Sequence, residues 1–413
     1  MRNDYDAIII GGGPAGAATA THLARHGFAA LLLDRAEFPR NKPCGEFYSP
    51  PVRGLLSSLG AYDAVAAAGI SGLPAATLHI AGRHCAGRFD EARHPWAKAG
   101  GFSIERRILD AILWKNAVQS GADARSNIAL RSLLRNDSGR IVGARTDAGD
   151  FHARILIGAD GGRSRVAREM GVVRPIARLQ KIAIVSHFQC TSEERRPENS
   201  SPAIEMHVGV LPNRSGVMVC GVGGARYGAR NITLTMPESE ARRVAALGAE
   251  GYVQEALATL FPSVAESLHG ATFLRAQTCG TFGHRTITPI AEGALLVGDA
   301  ANFIDPFTGE GVYFALRGAE LAAETLVKAL HSDNVSVRSL SPYAEQRRRE
   351  LTPKYAVCDL VERAIHSPNF MAWAAPRLER RPHLMDALLS VTGDMSHPAR
   401  LLLPDFIFGA LAP

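Results

Sequence analysis

Residues 4–34 read DYDAIIIGGGPAGAATATHLARHGFAALLLD, and this stretch decides the fold. Tyr5 to Ile10 is a short apolar run of the length of a buried strand. Gly11-Gly12-Gly13-Pro14-Ala15-Gly16 follows without a spacer. Next comes AATATHLARHG, whose small residues and Leu23 fit a helix lying close on a sheet, with Gly27 as its terminator. Ala29 to Leu33 supplies a second buried strand, and Asp34 stands at its end. Together they make a complete βαβ unit.

Each glycine of Gly11-x-Gly13-x-x-Gly16 has a physical task, with Pro14 and Ala15 completing the turn. Gly11 allows the sharp turn out of the strand, Gly13 lets backbone approach a pyrophosphate, and Gly16 lets the helix pack closely. The helix N-terminus offers N–H donors and partial positive charge to phosphate. Asp34, eighteen residues after Gly16, is placed to accept from both hydroxyls of an adenosine ribose. Arg35 follows it at the edge of the same site; the acid favours a free ribose diol, so Arg35 reads as a solvated neighbour.

Two later segments choose among dinucleotides. GADGGRSRVAR (158–168) places Asp160-Gly161 at a strand end, and GALLVGDAANFIDPFTGEG (293–311) leads from another strand through Gly298-Asp299 into a long helix. A simple nicotinamide dehydrogenase needs neither. A flavin needs an acid for its ribityl hydroxyls and a helix N-terminus near the ring edge where negative charge collects. Asp299 can supply the first and the Gly309-Glu310-Gly311 backbone the second, with Pro306 shaping the loop beneath the ring.

These three ordered segments resemble the FAD-dependent family that includes class A aromatic hydroxylases, geranylgeranyl reductases and flavin-dependent halogenases. Within it, FPRNKPCGEFYSP (38–50) and DPFTGEGVYFALRGAELAAE (305–324) are most similar to the geranylgeranyl-reductase-like branch, which also contains flavoproteins that tailor secondary metabolites. The resemblance implies an α/β fold: a Rossmann-like FAD-binding domain (1–75, 101–175 and 286–335), an inserted β-rich substrate domain (76–100 and 176–285) and a helical C-terminal region (336–413). It implies that Arg106 contacts the cofactor (with Arg107 beside it), that Asp160 organises its loop, that Asp299 holds the ribityl chain, and that Glu46, with Gly45, lies near the flavin-side loop; Cys44 reads first as a small apolar filler of a tight turn, with a reactive thiol near the flavin as the alternative. There are departures. Asn302 stands where aromatic hydroxylases carry histidine after GDAA. The three tryptophans make no WxWxIP motif, and Lys98 is the one lysine between 54 and 114.

Other features bound the partners. At 413 residues the chain exceeds ordinary domain length, so more than one unit is expected. Its 46% hydrophobic and 21% charged residues exclude a disordered chain. No apolar run approaches the ~20 residues of a bilayer span, and the start has no secretory core, so a cytoplasmic protein is expected. The net charge of +6 is scattered, with Arg347-Arg348-Arg349 read as a solvated helix face; nucleic acid is not expected, and peripheral contact with an anionic membrane stays open. Six dispersed cysteines suit neither zinc nor disulfides, and the histidines form no metal motif. His187 and His207 lie on alternating strands and could face a substrate over the flavin, as could Glu205 and Arg226. The C-terminal PNFMAWAAPRLERRPHLMDALL (368–389) reads as core packing or a lid over a hydrophobic substrate, and across the last 75 residues prolines are expected to break the helical patterns.

The expected reaction is monooxygenation of an aromatic or polyketide-like hydrophobic substrate, free or carrier-bound, by FAD that NAD(P)H reduces. The alternative is alkene reduction of a prenyl-type chain, with halogenation and electron transfer to a quinone ranked after both.

Overall fold

The computed structural model describes residues 4–89, 94–190, 203–212, 215–224, 229–280, 283–304 and 309–411. Two large sheets organise them. The first has eight strands, and its central path runs Ile290–Ala291, Ala294–Leu296, Gly149–Gly158, Asp4–Ile10, Ala30–Leu33 and Asp123–Arg125. The last five strands of that path pair in parallel. An antiparallel flap, Leu130–Arg135 and Ile141–Thr146, hangs on Gly149–Gly158. Alternation in the first strand fills both faces: Ala7 and Ile9 enter one core, Ile8 and Ile10 the other. Helices Pro14–Arg25, Arg106–Gln119 and Gly311–His331 cover the first face.

The second sheet has seven strands in the order Thr272–Gly280, Lys181–Gln189, Ala229–Pro237, Val217–Gly224, Ala203–Val210, Ala75–Ile80 and Arg83–Arg88. The hairpin from residues 75–88 thus joins strands far away in sequence, through a parallel pairing of Ala75–Ile80 with Ala203–Val210. On its back face, Met218, Cys220, Ile232 and Leu234 pack under helix Ala241–Leu260, which kinks at Gly248 where φ is +70°. On its front face, Leu78, Ile80, Val217 and Val219 meet Ile365, Met371 and Ala375 of the C-terminal helices.

The C-terminal region departs from expectation in a useful way. Pro368, Pro382 and Pro404 start helices (Pro368–Arg380, Pro382–Thr392, Pro404–Leu411), where the missing N–H costs nothing. Pro342 and Pro353, however, lie inside the 29-residue helix Val337–Ile365. Each forgoes one backbone bond, but Leu340, Tyr343, Leu351 and Tyr355 of that helix sit in the core against Gly311–His331, and tertiary packing keeps it whole. Arg347 also departs: it is buried and donates to the Tyr355 hydroxyl at 3.2 Å, while Arg348 and Arg349 are exposed.

Candidate active site

The glycine-rich turn is built by what cannot fit there. A Cβ on Gly16 would lie 1.8 Å from the Gly11 carbonyl oxygen, and one on Gly11, whose φ is +105°, would lie 2.4 Å from the Ala159 oxygen. Gly12 belongs with them: its Cβ would enter the Trp114 ring at 2.3 Å. Gly13 differs. The nearest atom to its would-be Cβ is Nη2 of Arg40 at 3.5 Å, so the space above the helix start is left open beneath a guanidinium. That opening, with Pro14 and Ala15 in the first helical turn, is the shape a pyrophosphate requires. Asp34 is buried; it accepts from Gly12 N at 2.7 Å and Ala36 N at 2.8 Å, and each oxygen keeps a second lone pair. Arg35 is exposed. The cation turned toward the glycines is Arg40, held between Asp34 at 3.9 Å and Asp110 at 3.2 Å and lying over Phe38, which stacks on Trp114. Sequence reasoning missed Arg40 because it lies in an irregular loop.

The other two segments arrive at the same edge. Asp160 takes N–H bonds from Arg165 (2.6 Å) and Val166 (3.2 Å), capping a short helix, while its Oδ1 is buried without a partner; Gly161 next to it has φ of +78°. Burial raises the Asp160 carboxyl pKa against the hydrogen bonds that lower it. Gly298 has φ of +59°, and a Cβ there would be 2.8 Å from Ala15 Cβ, so this strand end rests directly on the first helix. Asp299 Oδ1 lies 4.0 Å from where a Gly311 Cβ would be, beside the N-terminus of the long helix. Burial raises the Asp299 pKa, and Lys42 and Arg106 pull it back. Lys42 is accessible to solvent but crowded by Arg106, Asp299 and Arg40; desolvation and then the Arg106 charge lower its pKa. Pro306 lies outside the described residues, as does Arg226.

Arg106 is buried and bidentate to Asp110 at 2.7 and 2.8 Å, whereas Arg107 is half exposed, so Arg106 is the inward member of the pair. Its backbone N donates to Glu46 Oε1 at 3.2 Å. Glu46 adopts φ of +57°, an uncommon conformation for a non-glycine residue. Its Oε2 meets His187 Nε2 at 3.2 Å, and both side chains are buried. Asn231, opposite His187 in the next strand, donates to the Cys44 carbonyl at 2.9 Å. The Gly45 carbonyl lies 3.1 Å from a would-be Cβ on Gly223, a close approach that a strand glycine permits. Burial pushes the Cys44 thiol pKa up, with Arg106 opposing it. His187 Nδ1 is buried and unpartnered.

Glu310 caps the long helix from a buried position, accepting from Ser49 Oγ at 3.2 Å, and Gly309 (φ +74°) would clash with Phe47 if it carried a Cβ. Glu310 also faces Asp394, which is ion-paired with Lys354; burial and then Asp394 hold the Glu310 pKa well above the usual carboxylate range. The pairing of 46–49 with 309–310 spans more than 250 residues, which no local pattern announces.

His207 does not join His187. Register places Met206 and Val208 on the sheet's front and His207, paired with Cys220, on its back, where it lies against Phe261. There its ring stacks on His79 at 4.1 Å, and Glu205 completes a group whose ligand atoms all lie within 4.8 Å. Rings stacked face to face aim their lone pairs side by side rather than at one ion, so this cluster is read as packing. Desolvation, then His207 and His84, lower the His79 pKa to about 4. His207 and Glu205 therefore leave the set of residues facing the flavin side.

Comparison with known proteins agrees with this geometry. The chain matches the FAD binding domain family over residues 4–353. It is 28% identical to digeranylgeranylglycerophospholipid reductase 1 of Methanopyrus kandleri over 84% of this chain and 87% of that one. It is 24% identical to menaquinone reductase of Mycolicibacterium smegmatis over 96% and 93%. In fold it is similar to the flavin-dependent brominase Bmp2, with a TM-score of 0.79 at 18% identity, covering 94% and 93%. The chain belongs to the FAD binding domain family and is an FAD-dependent oxidoreductase.

Proposed function

From that membership, we propose that the protein reduces alkene bonds in a prenyl-type lipid, reversing the order of the two reactions expected from sequence. What supports this reading is similarity to a lipid reductase and a menaquinone reductase along most of the chain, joined to the Cys44–Glu46 loop, whose Glu46 is buried against His187. The residues present fit FAD: the open cradle at Gly13, the unpartnered Asp160 Oδ1 and the acid at Asp299 are groups the cofactor would satisfy. Arg40 and the first helix would hold the pyrophosphate, Asp34 the ribose, Asp299 the ribityl chain, and the start of Gly311–His331 the pyrimidine edge. When bound, FAD would supply hydride chemistry, with NAD(P)H the proposed reductant. The chain's part is to hold the alkene over the front of the seven-stranded sheet, exclude water and deliver a proton to the second carbon. Half-buried Cys44, whose carbonyl is anchored by Asn231, is the proposed donor; desolvation raises its thiol pKa and the Arg106 charge opposes that. Glu46, fixed by Arg106 N and His187, positions the loop. We also propose that the two sheets mark the FAD-binding and substrate units.

Oxygenation is the second reading. Halogenation is disfavoured because Lys98, the one lysine between 54 and 114, is exposed on a short helical turn. The test is product mass after turnover with a polyprenyl lipid and NAD(P)H. Gain of two hydrogens without oxygen uptake supports reduction; gain of one oxygen atom overturns it.

A further inference from the structure

The C-terminal helices, and the short helical turn Pro398–Leu402 before the last of them, leave a set of large apolar side chains exposed. Leu402 is 73% and Phe408 71% exposed, and Leu403, Ile407, Phe370 and Trp373 are exposed as well. Phe370, Trp373 and Arg377 follow one another along one face of Pro368–Arg380. Where that helix ends, Arg381 Nη1 donates to the Gly409 carbonyl at 2.7 Å, which ties the helix end to the last helix. Patches of this kind mark an interaction site.

Cations surround it. The Arg377 guanidinium lies 4.4 Å from the Trp373 ring centre, Arg380 is exposed, and Arg400 stands beside Leu402, paired with Asp405 at 2.7 Å. Among these helices, apart from the glycine-rich turn, is a cavity of about 220 Å³ lined by Arg88, His383 and Arg400 opposite Asp386. Aromatic rings and aliphatic side chains rimmed by arginine match the headgroup boundary of a bilayer. A second copy of the chain fits less well, because a two-fold contact would set one arginine-bearing patch against another of the same sign. None of the described helices is long and apolar enough to cross a membrane, so the contact would be interfacial.

We propose that this surface, centred on Trp373, Leu402 and Phe408, docks the protein on an anionic membrane. The same helices cover the front face of the seven-stranded sheet, and Asp394 between them reaches Glu310 at the long helix's start. Docking here would bring a bilayer-dissolved substrate to the edge of the proposed site without its passing through water.

The test is flotation of the FAD-loaded protein with vesicles of phosphatidylglycerol and phosphatidylcholine, or phosphatidylcholine alone, at low and high salt. Anionic vesicles should carry at least about tenfold more protein than neutral ones, with the excess shrinking as salt screens the arginines. The triple variant Trp373→Ser, Leu402→Ser, Phe408→Ser should lose about tenfold of that binding or more while keeping its FAD and melting temperature. Equal flotation of variant and wild type would overturn the proposal. So would failure to bind anionic vesicles, including the case where lipid-free sedimentation shows a dimer that the variant dissociates. Flotation needs no turnover, so it is decided separately from the reaction proposed above.

Discussion

At the glycine-rich turn the site is shaped by backbone: Gly11, Gly12 and Gly16 leave no room for a methyl group, and Gly13 leaves room for a ligand. At the front of the seven-stranded sheet it is shaped by side chains, with His187 and Asn231 fastening the Cys44–Glu46 loop from strands some 140 to 190 residues away. The difference bears on how each region fails. A backbone site has no alternative packing for an added carbon. A side-chain network can lose one member and keep the fold.

Substitutions should sort accordingly. Gly16→Val should be the most severe, because the new side chain would overlap the Gly11 carbonyl. The expected outcome is loss of soluble folded protein or of nearly all bound FAD, read by flavin released on denaturation. His187→Ala should retain FAD and cost roughly 10²-fold in kcat, with KM changed less. Loss of FAD instead would show that the two regions are not separable. Glu310→Gln probes the joint between them. Its pKa is raised in the folded protein above the ordinary value of 4.5, so the folded state holds a proton that the unfolded state releases. Wild-type stability should therefore fall as pH rises above about 4.5. Melting curves should show the glutamine variant gaining on wild type from pH ~5 to ~8. His207→Phe, on the back face, should be smallest, leaving kcat within about twofold.

The same contrast explains what was legible in the sequence. The βαβ unit, the long helix beginning at Gly311 and the hairpin within 76–100 all carry local signals, and the strand ends at Asp160 and Asp299 follow from them. Arg106 could be chosen over Arg107 only once Asp110, four residues on, was seen buried beside it. Arg40 carries no periodic signal. The facing of His187 and His207 depends on strand register, since side chains alternate and one step of pairing reverses a whole strand. Their spacing suggested a common side, and the pairings put them on opposite ones. Gly223 was the one available hint, because a glycine inside an apolar strand marks close approach by another backbone.

The central claim is that reduced flavin in this protein passes its electrons to an alkene held on the sheet's front face. The direct measurement is reoxidation of the reduced, FAD-loaded protein under argon after a polyprenyl lipid is added. The account predicts return of the oxidised flavin spectrum with one double bond saturated per flavin, slowed in His187→Ala and unchanged in His207→Phe. A flavin that stays reduced until air is admitted would contradict it.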